Sequence, residues 1–161
     1  MNIWASRLFL KFMRLVLRVW FRFRAYNEKA ADVNGPVLII PNHVSWIDWL
    51  FVGLCVDPEW KFVASSIPAR HSKLHAWILS NPRIFLIDNQ SPYAVKEMAA
   101  HLEKGGKLIL FAEGRMSRTG TLQRLFDGTG FLLQKTGAKV ITVHLRGAQR
   151  VLASPHRGWT K

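Results

Sequence analysis

His43 and Asp48 have the side-chain types and the spacing for acid–base chemistry. A histidine is the side chain best suited to accept a proton near neutral pH. A carboxylate about one helical turn away can hold the imidazole in one tautomer and stabilise the imidazolium that forms. The alternative is structural, with Asp48 capping a helix and His43 filling a turn. Spacing alone leaves both interpretations open.

The residues around this pair predict the elements that position it. The apolar run Val37–Pro41 predicts a short buried strand. Ser45 is a favoured helix cap, and Asp48 follows it at the capping-box spacing, so we expect a helix that ends at Asp57-Pro58. His43 would then lie at the carboxyl end of a strand, where open α/β sheets gather their ligands.

A second polar group, Glu113-Gly114-Arg115, follows another predicted strand, Lys107–Phe111. Glycine lets the backbone approach a ligand closely, and the guanidinium fork of arginine matches phosphate oxygens. The alternative is a turn glycine between surface charges. The sequence contains no Gly-x-Ser-x-Gly elbow, so we expect the base to activate a hydroxyl group of a bound substrate and not a protein serine.

Both groups resemble the glycerolipid acyltransferases of the lysophosphatidate (1-acylglycerol-3-phosphate) type. His43 and Asp48 match the His-x4-Asp motif of that family, and Leu108–Ser117 resembles its Phe-Pro-Glu-Gly-Thr-Arg-Ser block. The Glu-Gly-Arg variant looks closest to the 2-acylglycerophosphoethanolamine acyltransferase domains. The two blocks occur in the same order as in the family. The resemblance rests on both of them, since either block alone would be weak evidence.

The resemblance implies a transfer of an acyl group from a thioester to the glycerol hydroxyl of a lysophospholipid. It implies that His43 is the base, oriented by Asp48, and that the acceptor phosphate contacts Glu113, Gly114 and Arg115. Arg118 is a further candidate for that contact. No cofactor is expected; the co-substrate is an acyl-CoA or acyl-carrier-protein thioester.

The remaining pattern predicts strands that alternate with helices, which indicates an α/β fold with a mostly parallel sheet flanked by helices. Further strands are predicted at Trp60–Ala64, Arg83–Asp88 and Lys139–Val143. Further helices are predicted at Leu74–Leu79, from Ser91 to Lys104, and at Leu125–Thr136.

Residues 3–24 predict a basic amphipathic helix. Five of its six cations recur every three or four residues and fall within an arc of about 80°: Arg7, Lys11, Arg14, Arg18 and Arg22. The rest of the helix is apolar, which is typical of a helix at a membrane interface. The alternative is an ordinary helix packed on the core with a solvated basic stripe. We therefore expect residues 1–26 to form an interfacial helix and residues 27–161 an acyltransferase domain.

The charge is strongly positive, with 23 Lys and Arg residues against 10 Asp and Glu residues. Such a surplus predicts a polyanionic partner. It is concentrated at the two ends of the chain, and no nucleic-acid-reading motif occurs, so we expect an anionic membrane surface and no nucleic acid. The expected location is peripheral or monotopic, on the cytoplasmic face of the membrane.

A metal site and a truncated, inactive protein are the two remaining alternatives. His71 and His75 have the spacing of metal ligands on a helix, but no acid or cysteine lies near them, so no metal site is expected. The resemblance also implies further elements after Lys161. The chain could then be a truncated, catalytically inactive homologue that binds lipid at a membrane surface.

Overall fold

The fold was obtained as a computed structural model, and it describes residues 7–66, 76, 79–88, 91, 93–121 and 123–150. The strands of this part of the chain are β1 (Val37–Pro41), β2 (Lys61–Ser65), β3 (Ile84–Ile87), β4 (Lys107–Ile109) and β5 (Lys139–Val143). The α-helices are α1 (Arg7–Phe21), α2 (Asp48–Gly53), α3 (Ala94–Glu103) and α4 (Asp127–Thr136). Short 3-10 turns occur at Glu28–Ala31 and Ala148–Arg150.

The strands form one five-stranded sheet in the order β3-β2-β4-β1-β5, and every described pair is parallel. The predicted α/β class is confirmed. β1 lies between β4 and β5, with Leu38 opposite Leu108 and Val140. Because β1 and β4 are parallel neighbours, the loops that follow them leave the same edge of the sheet. This places the two sequence blocks side by side.

Alternate residues of the central strands face two separate cores, as the period of two in a strand requires. Leu38 and Leu108 pack against α3 and α4 on one side. Ile39 and Ile109 pack with Val52 of α2 on the other. All four strand residues are completely or almost completely buried, which explains the continuous apolar runs of β1 and β4.

α1 forms an outer layer on α2. Leu17 of α1 is buried in a third cluster with Phe51 of α2, and Phe23 stacks on the Phe51 ring with 5.5 Å between centroids. Arg14 is ion-paired with Glu28. The opposite side of α1 exposes large apolar side chains: Leu8, Phe12, Leu15, Val19 and Trp20. None of the described helices is both long and apolar enough to cross a bilayer.

α2 is shorter than predicted at both ends. Its first helical residue is Asp48, because residues 45–47 form a tighter turn, in which the Asp48 carboxylate accepts from the N–H of Ser45 as the capping-box spacing predicts. It ends at Gly53, well before Asp57-Pro58. Part of the reason is Arg83, whose guanidinium donates to the carbonyl oxygens of Gly53 and Asp57 and fixes the chain in a non-helical path.

Apart from the start of α1, which adjoins residues outside the described part of the chain, the other boundaries agree with the sequence to within three residues. β5 begins and ends as predicted, and α3 begins at Ala94 instead of Ser91. After α3, Gly105 has a positive φ of 79°, the left-handed conformation that favours glycine at a helix end. The prediction of a helix at Leu74–Leu79 falls mostly outside the described residues, as do His71 and His75.

Candidate active site

Asp48 is the centre of the hydrogen bonds in the turn after β1. Its Oδ2 accepts from the N–H of Val44 at 2.6 Å, from the N–H of Ser45 at 2.8 Å and from Nδ1 of His43 at 2.9 Å. The Asp48 side chain is fully buried. A buried carboxylate is costly unless such donors surround it, so the backbone of the turn stabilises the charge next to His43.

The His43 ring is fixed on two sides. Nδ1 bonds Asp48, and the ring face packs on Phe111 with 4.4 Å between centroids. The side chain is nevertheless 21% exposed. With Nδ1 held as the donor to a carboxylate, Nε2 is the nitrogen that can accept a proton from a ligand. The predicted pairing of an imidazole and a carboxylate is therefore present in the structure.

The second sequence block holds the main chain of His43. The N–H of His43 donates to Oε1 of Glu113 at 3.1 Å, and the carbonyl oxygen of His43 accepts from the N–H of Ser117 at 2.7 Å. Arg115 lies between these two contacts in the sequence. The loop that carries the cation thus begins and ends against the histidine.

Asn42 fixes the other side of the turn, and sequence reasoning did not assign it a role. Its side-chain oxygen accepts from the N–H of Leu145 at 2.6 Å, and its amide nitrogen donates to the Leu145 carbonyl at 3.1 Å. Its backbone N–H donates to Val143 of β5. The Asn42 side chain thus continues the hydrogen bonding between β1 and β5 beyond the ends of the two strands.

Glu113 is 4% exposed, and both of its oxygens accept backbone N–H donors. Oε1 holds His43, and Oε2 accepts from the N–H of Gln123 at 3.1 Å. Gln123 is a further residue that sequence reasoning missed, because its partner Arg115 is eight positions away. Glu113 thus joins two backbone segments of the site through hydrogen bonds. Its predicted contact with phosphate stays a prediction.

The cations of the loop are exposed. Arg115 donates from Nε to Oε1 of Gln123 at 2.8 Å, and Arg118 is open to solvent. The loop itself is held by the buried Ser117, whose hydroxyl donates to the carbonyl of Thr121 at 2.8 Å. Such a loop can present positive charge to an anionic group at the edge where His43 lies.

Gly114 is required by both backbone and space. Its φ is +65°, in the left-handed region that favours glycine. A Cβ at this position would lie 2.0 Å from the ring of Phe126, so any side chain would displace that ring. The close neighbour of Gly114 in the structure is thus a side chain of the same loop, and its predicted close approach to a phosphate stays a prediction.

An open cleft lies between α1, α2 and the strands β2 and β3. Its walls are mostly apolar, and Asn81 and Arg83 supply polar groups. The lining residues are Leu10, Trp49, Leu50, Gly53, Leu54, Phe62, Asn81, Arg83 and Ile84. Trp49 and Leu50 directly follow Asp48, so the cleft adjoins the helix that carries the buried carboxylate.

Two groups beside this cleft are structural. Burial lowers the pKa of Arg83, an effect that the Asp57 carboxylate opposes, and the guanidinium donates only to carbonyl oxygens in its described contacts. Burial, with a smaller contribution from Glu28, raises the pKa of the Cys55 thiol to about 11. A thiol that stays protonated at neutral pH is a poor nucleophile, so the structure gives no support to Cys55 as one.

Comparison with known proteins identifies the family. Two chloroplastic 1-acyl-sn-glycerol-3-phosphate acyltransferases, BAT2 of Brassica napus and LPAT1 of Arabidopsis thaliana, are each 22% identical to this chain over 165 residues. The matches cover 92% of this chain and 46% and 45% of those proteins, so the chain spans less than half their length.

The crystal structure of the 1-acyl-sn-glycerophosphate acyltransferase PlsC from Thermotoga maritima is similar in fold. The TM-score is 0.71 at 19% identity, over 91% of this chain and 62% of that one. The family model described as Acyltransferase matches residues 22–146, which include the His43 turn, the Arg115 loop and all five strands. The predicted resemblance is thus confirmed, and the chain belongs to the Acyltransferase family.

Proposed function

We propose that the chain transfers a fatty acyl group from a thioester to the free glycerol hydroxyl of a lysophospholipid such as 1-acylglycerol-3-phosphate. The observation that carries the proposal is the position of His43. Its ring is oriented by the buried Asp48, and its peptide groups are held by the loop that carries Arg115. A base and an anion-binding cation are thereby fixed at one edge of the sheet.

The geometry supports a direct transfer. Nε2 of His43 takes the proton of the acceptor hydroxyl, and the oxygen attacks the carbonyl carbon of the thioester. Asp48 stabilises the imidazolium that results, as its hydrogen bond to Nδ1 allows. When the tetrahedral intermediate collapses, the carbon–sulfur bond breaks and His43 returns the proton to the departing thiolate. No acyl group is held on the protein at any step.

The acceptor phosphate is assigned to the exposed arginines of the 114–124 loop. Arg115 offers a planar fork that matches two phosphate oxygens, and Arg118 adds charge nearby in the sequence. An acceptor without a phosphate would lose these contacts but would keep those of its glycerol and acyl chain.

We assign the acyl chain of one substrate to the cleft between α1, α2 and the strands. The support for this assignment is the mostly apolar lining of the cleft and its position beside the helix that carries Asp48. Trp49 lies in its wall. The donor is a coenzyme A or acyl-carrier-protein thioester, and the surplus of positive charge suits either.

A membrane surface supplies the lysophospholipid acceptor in this proposal. The exposed apolar side chains Leu8, Phe12, Leu15 and Val19 fall within an arc of about 60° on α1, beside the exposed cations Lys11 and Arg18. This arc is separate from the face that docks on α2 through Leu17. The pattern suits a helix lying at an anionic, cytoplasmic leaflet in a peripheral or monotopic association.

The membrane contact has a direct test. Phe12→Glu combined with Val19→Glu should lower binding to vesicles that contain anionic lipid by at least about tenfold, since two large side chains lose their burial. Tyr93→Glu is the matched control, because Tyr93 is equally exposed but lies at the start of α3. Equal binding by all three proteins would remove α1 from the interface.

One incubation tests the reaction. The purified protein is mixed with lysophosphatidate or other lysophospholipids and with a palmitoyl thioester of coenzyme A or of acyl-carrier protein, and products are identified by mass spectrometry. We expect diacyl product, with lysophosphatidate as the best acceptor. The inactive-homologue alternative predicts vesicle binding and no product with any pair.

A further inference from the structure

We propose that Gln123 is a positioning residue that fixes the guanidinium of Arg115 for the acceptor phosphate. The inference rests on the proposed function, because it concerns the headgroup of that acceptor. It adds a residue outside both sequence blocks to the phosphate site. The argument rests on two hydrogen bonds of Gln123, one from its backbone and one from its side chain.

The backbone of Gln123 is tied to the catalytic turn. Its N–H donates to Oε2 of Glu113 at 3.1 Å, and Oε1 of the same carboxylate accepts from the N–H of His43 at 3.1 Å. Glu113 is almost fully buried. One carboxylate therefore sets the distance between the main chain at His43 and the main chain at Gln123.

The side chain of Gln123 continues this connection to Arg115. Oε1 of Gln123 accepts from Nε of Arg115 at 2.8 Å, while Arg115 is exposed and Gln123 is partly buried. A bond at Nε fixes the plane of the guanidinium. The Nη1 and Nη2 edge remains a two-donor fork, which is the arrangement that binds two oxygens of one phosphate.

The other two arginines of the loop, Arg118 and Arg124, do not combine an oriented guanidinium with an unoccupied fork. Nη2 of Arg124 donates to both carboxylate oxygens of Asp127, at 3.0 and 3.1 Å, so one of the two nitrogens of its fork is already bonded to an anionic group. Arg118 makes no hydrogen bond to any residue in the described part of the chain. Of the three, Arg115 alone combines a bond that orients the guanidinium with a fork whose two Nη atoms have no hydrogen-bond partner among the described residues. Ordering a mobile arginine costs binding free energy, and Gln123 removes much of that cost before the ligand arrives.

The test uses Gln123→Met, which keeps the length of the side chain and the backbone N–H to Glu113 but removes the oxygen that accepts from Arg115. Binding of monomeric lysophosphatidate is measured by calorimetry, so the result does not depend on turnover. We expect the dissociation constant to rise by about two- to tenfold, the scale for ordering one long side chain. The KM for lysophosphatidate should rise equally, with kcat within about twofold.

A double-mutant comparison separates positioning from a general disturbance of the loop. In an Arg115→Ala background, Gln123→Met should cause no further loss of binding. In an Arg118→Ala background it should cause its full effect. Unchanged binding by Gln123→Met, or the same additional loss in both backgrounds, would overturn the inference. A wild-type protein that binds lysophosphatidate but forms no product would contradict the proposed reaction and leave this inference standing.

Discussion

The turn that carries His43 and the loop that carries Arg115 leave the same edge of the sheet, yet they are built differently. In the turn, Asp48 and Ser45 are fully buried, and three donors converge on one carboxylate oxygen. In the loop, Arg115 and Arg118 are exposed. The buried side chains of Glu113 and Ser117 form hydrogen bonds with backbone groups of the site. Dense hydrogen bonding surrounds the base, and open cations surround the predicted anion site.

The difference follows from the two tasks. A proton acceptor needs one tautomer and one orientation, which a buried carboxylate provides because nothing competes with it for the ring N–H. A site for a phosphate must exchange its ligand with water, so its cations have to be accessible. Substitutions in the turn should therefore change the rate of the chemical step. Substitutions in the loop should change the affinity for the acceptor.

The largest effect is expected for Asp48→Asn. The amide oxygen can still accept from backbone N–H groups, but the negative charge beside the imidazolium is lost. The amide nitrogen would replace Oδ1, which has no hydrogen-bond partner among the described residues. We expect kcat to fall by about a hundredfold or more, with KM for lysophosphatidate within about threefold. A selective rise in KM would remove the contrast between the two regions.

Arg115→Ala should change the KM for lysophosphatidate and not kcat. Loss of a charge-assisted fork costs about 1.5–3 kcal/mol, which corresponds to a rise in KM of about tenfold or more. The effect should vanish with an uncharged monoacylglycerol acceptor. Arg124→Ala is the matched control, because this arginine is in the same loop but bonds Asp127, and its KM should change by less than about threefold.

Gly114→Ala should give a smaller effect, mainly on folding stability. The positive φ and the displaced Phe126 ring should lower the free energy of unfolding by about 1–2 kcal/mol, measured by urea denaturation. Gly130→Ala in α4 is the control, since no atom lies within 4 Å of a Cβ there and alanine favours the helix. If both variants were equally stable, the strain argument for Gly114 would be wrong.

The smallest effect is expected at His101, which lies near the end of α3 and outside both regions. Burial, Lys61 and Lys104 lower its pKa, and its Nε2 is buried without a partner among the described residues. The unfolded chain thus binds the proton more tightly, so the free energy of unfolding should fall as the pH drops below about 6.5. His101→Gln should flatten this slope. If the substitution left the pH dependence of the free energy of unfolding unchanged, other titrating groups would be its cause.

The elements and the pairing of the two blocks could be predicted because their signals are local. The apolar run of β1, the glycines after α3 and the His-x4-Asp spacing are all contained in short windows. The parallel sheet then brings the ends of β1 and β4 together, whatever the order of the outer strands. Assigning His43 and Arg115 to one edge required no knowledge of contacts.

The supporting residues could not be predicted, because their partners are distant in the sequence. Asn42 bonds Leu145, which is 103 positions away, and Arg83 bonds the carbonyl of Gly53, which is 30 positions away. The contact of Arg83 also contributes to the early end of α2, which the local sequence pattern could not predict. At the start of α2, by contrast, the bond from the N–H of Ser45 to Asp48 is local and follows from the capping-box spacing.

The central claim is that His43 removes the proton from the acceptor hydroxyl, and His43→Ala tests it most directly. The rate of acyl transfer from thioester to lysophosphatidate should fall by at least about a hundredfold at saturating substrate, while lysophosphatidate binding changes by less than about threefold. A variant that binds the acceptor and still transfers the acyl group at the wild-type rate would contradict the account.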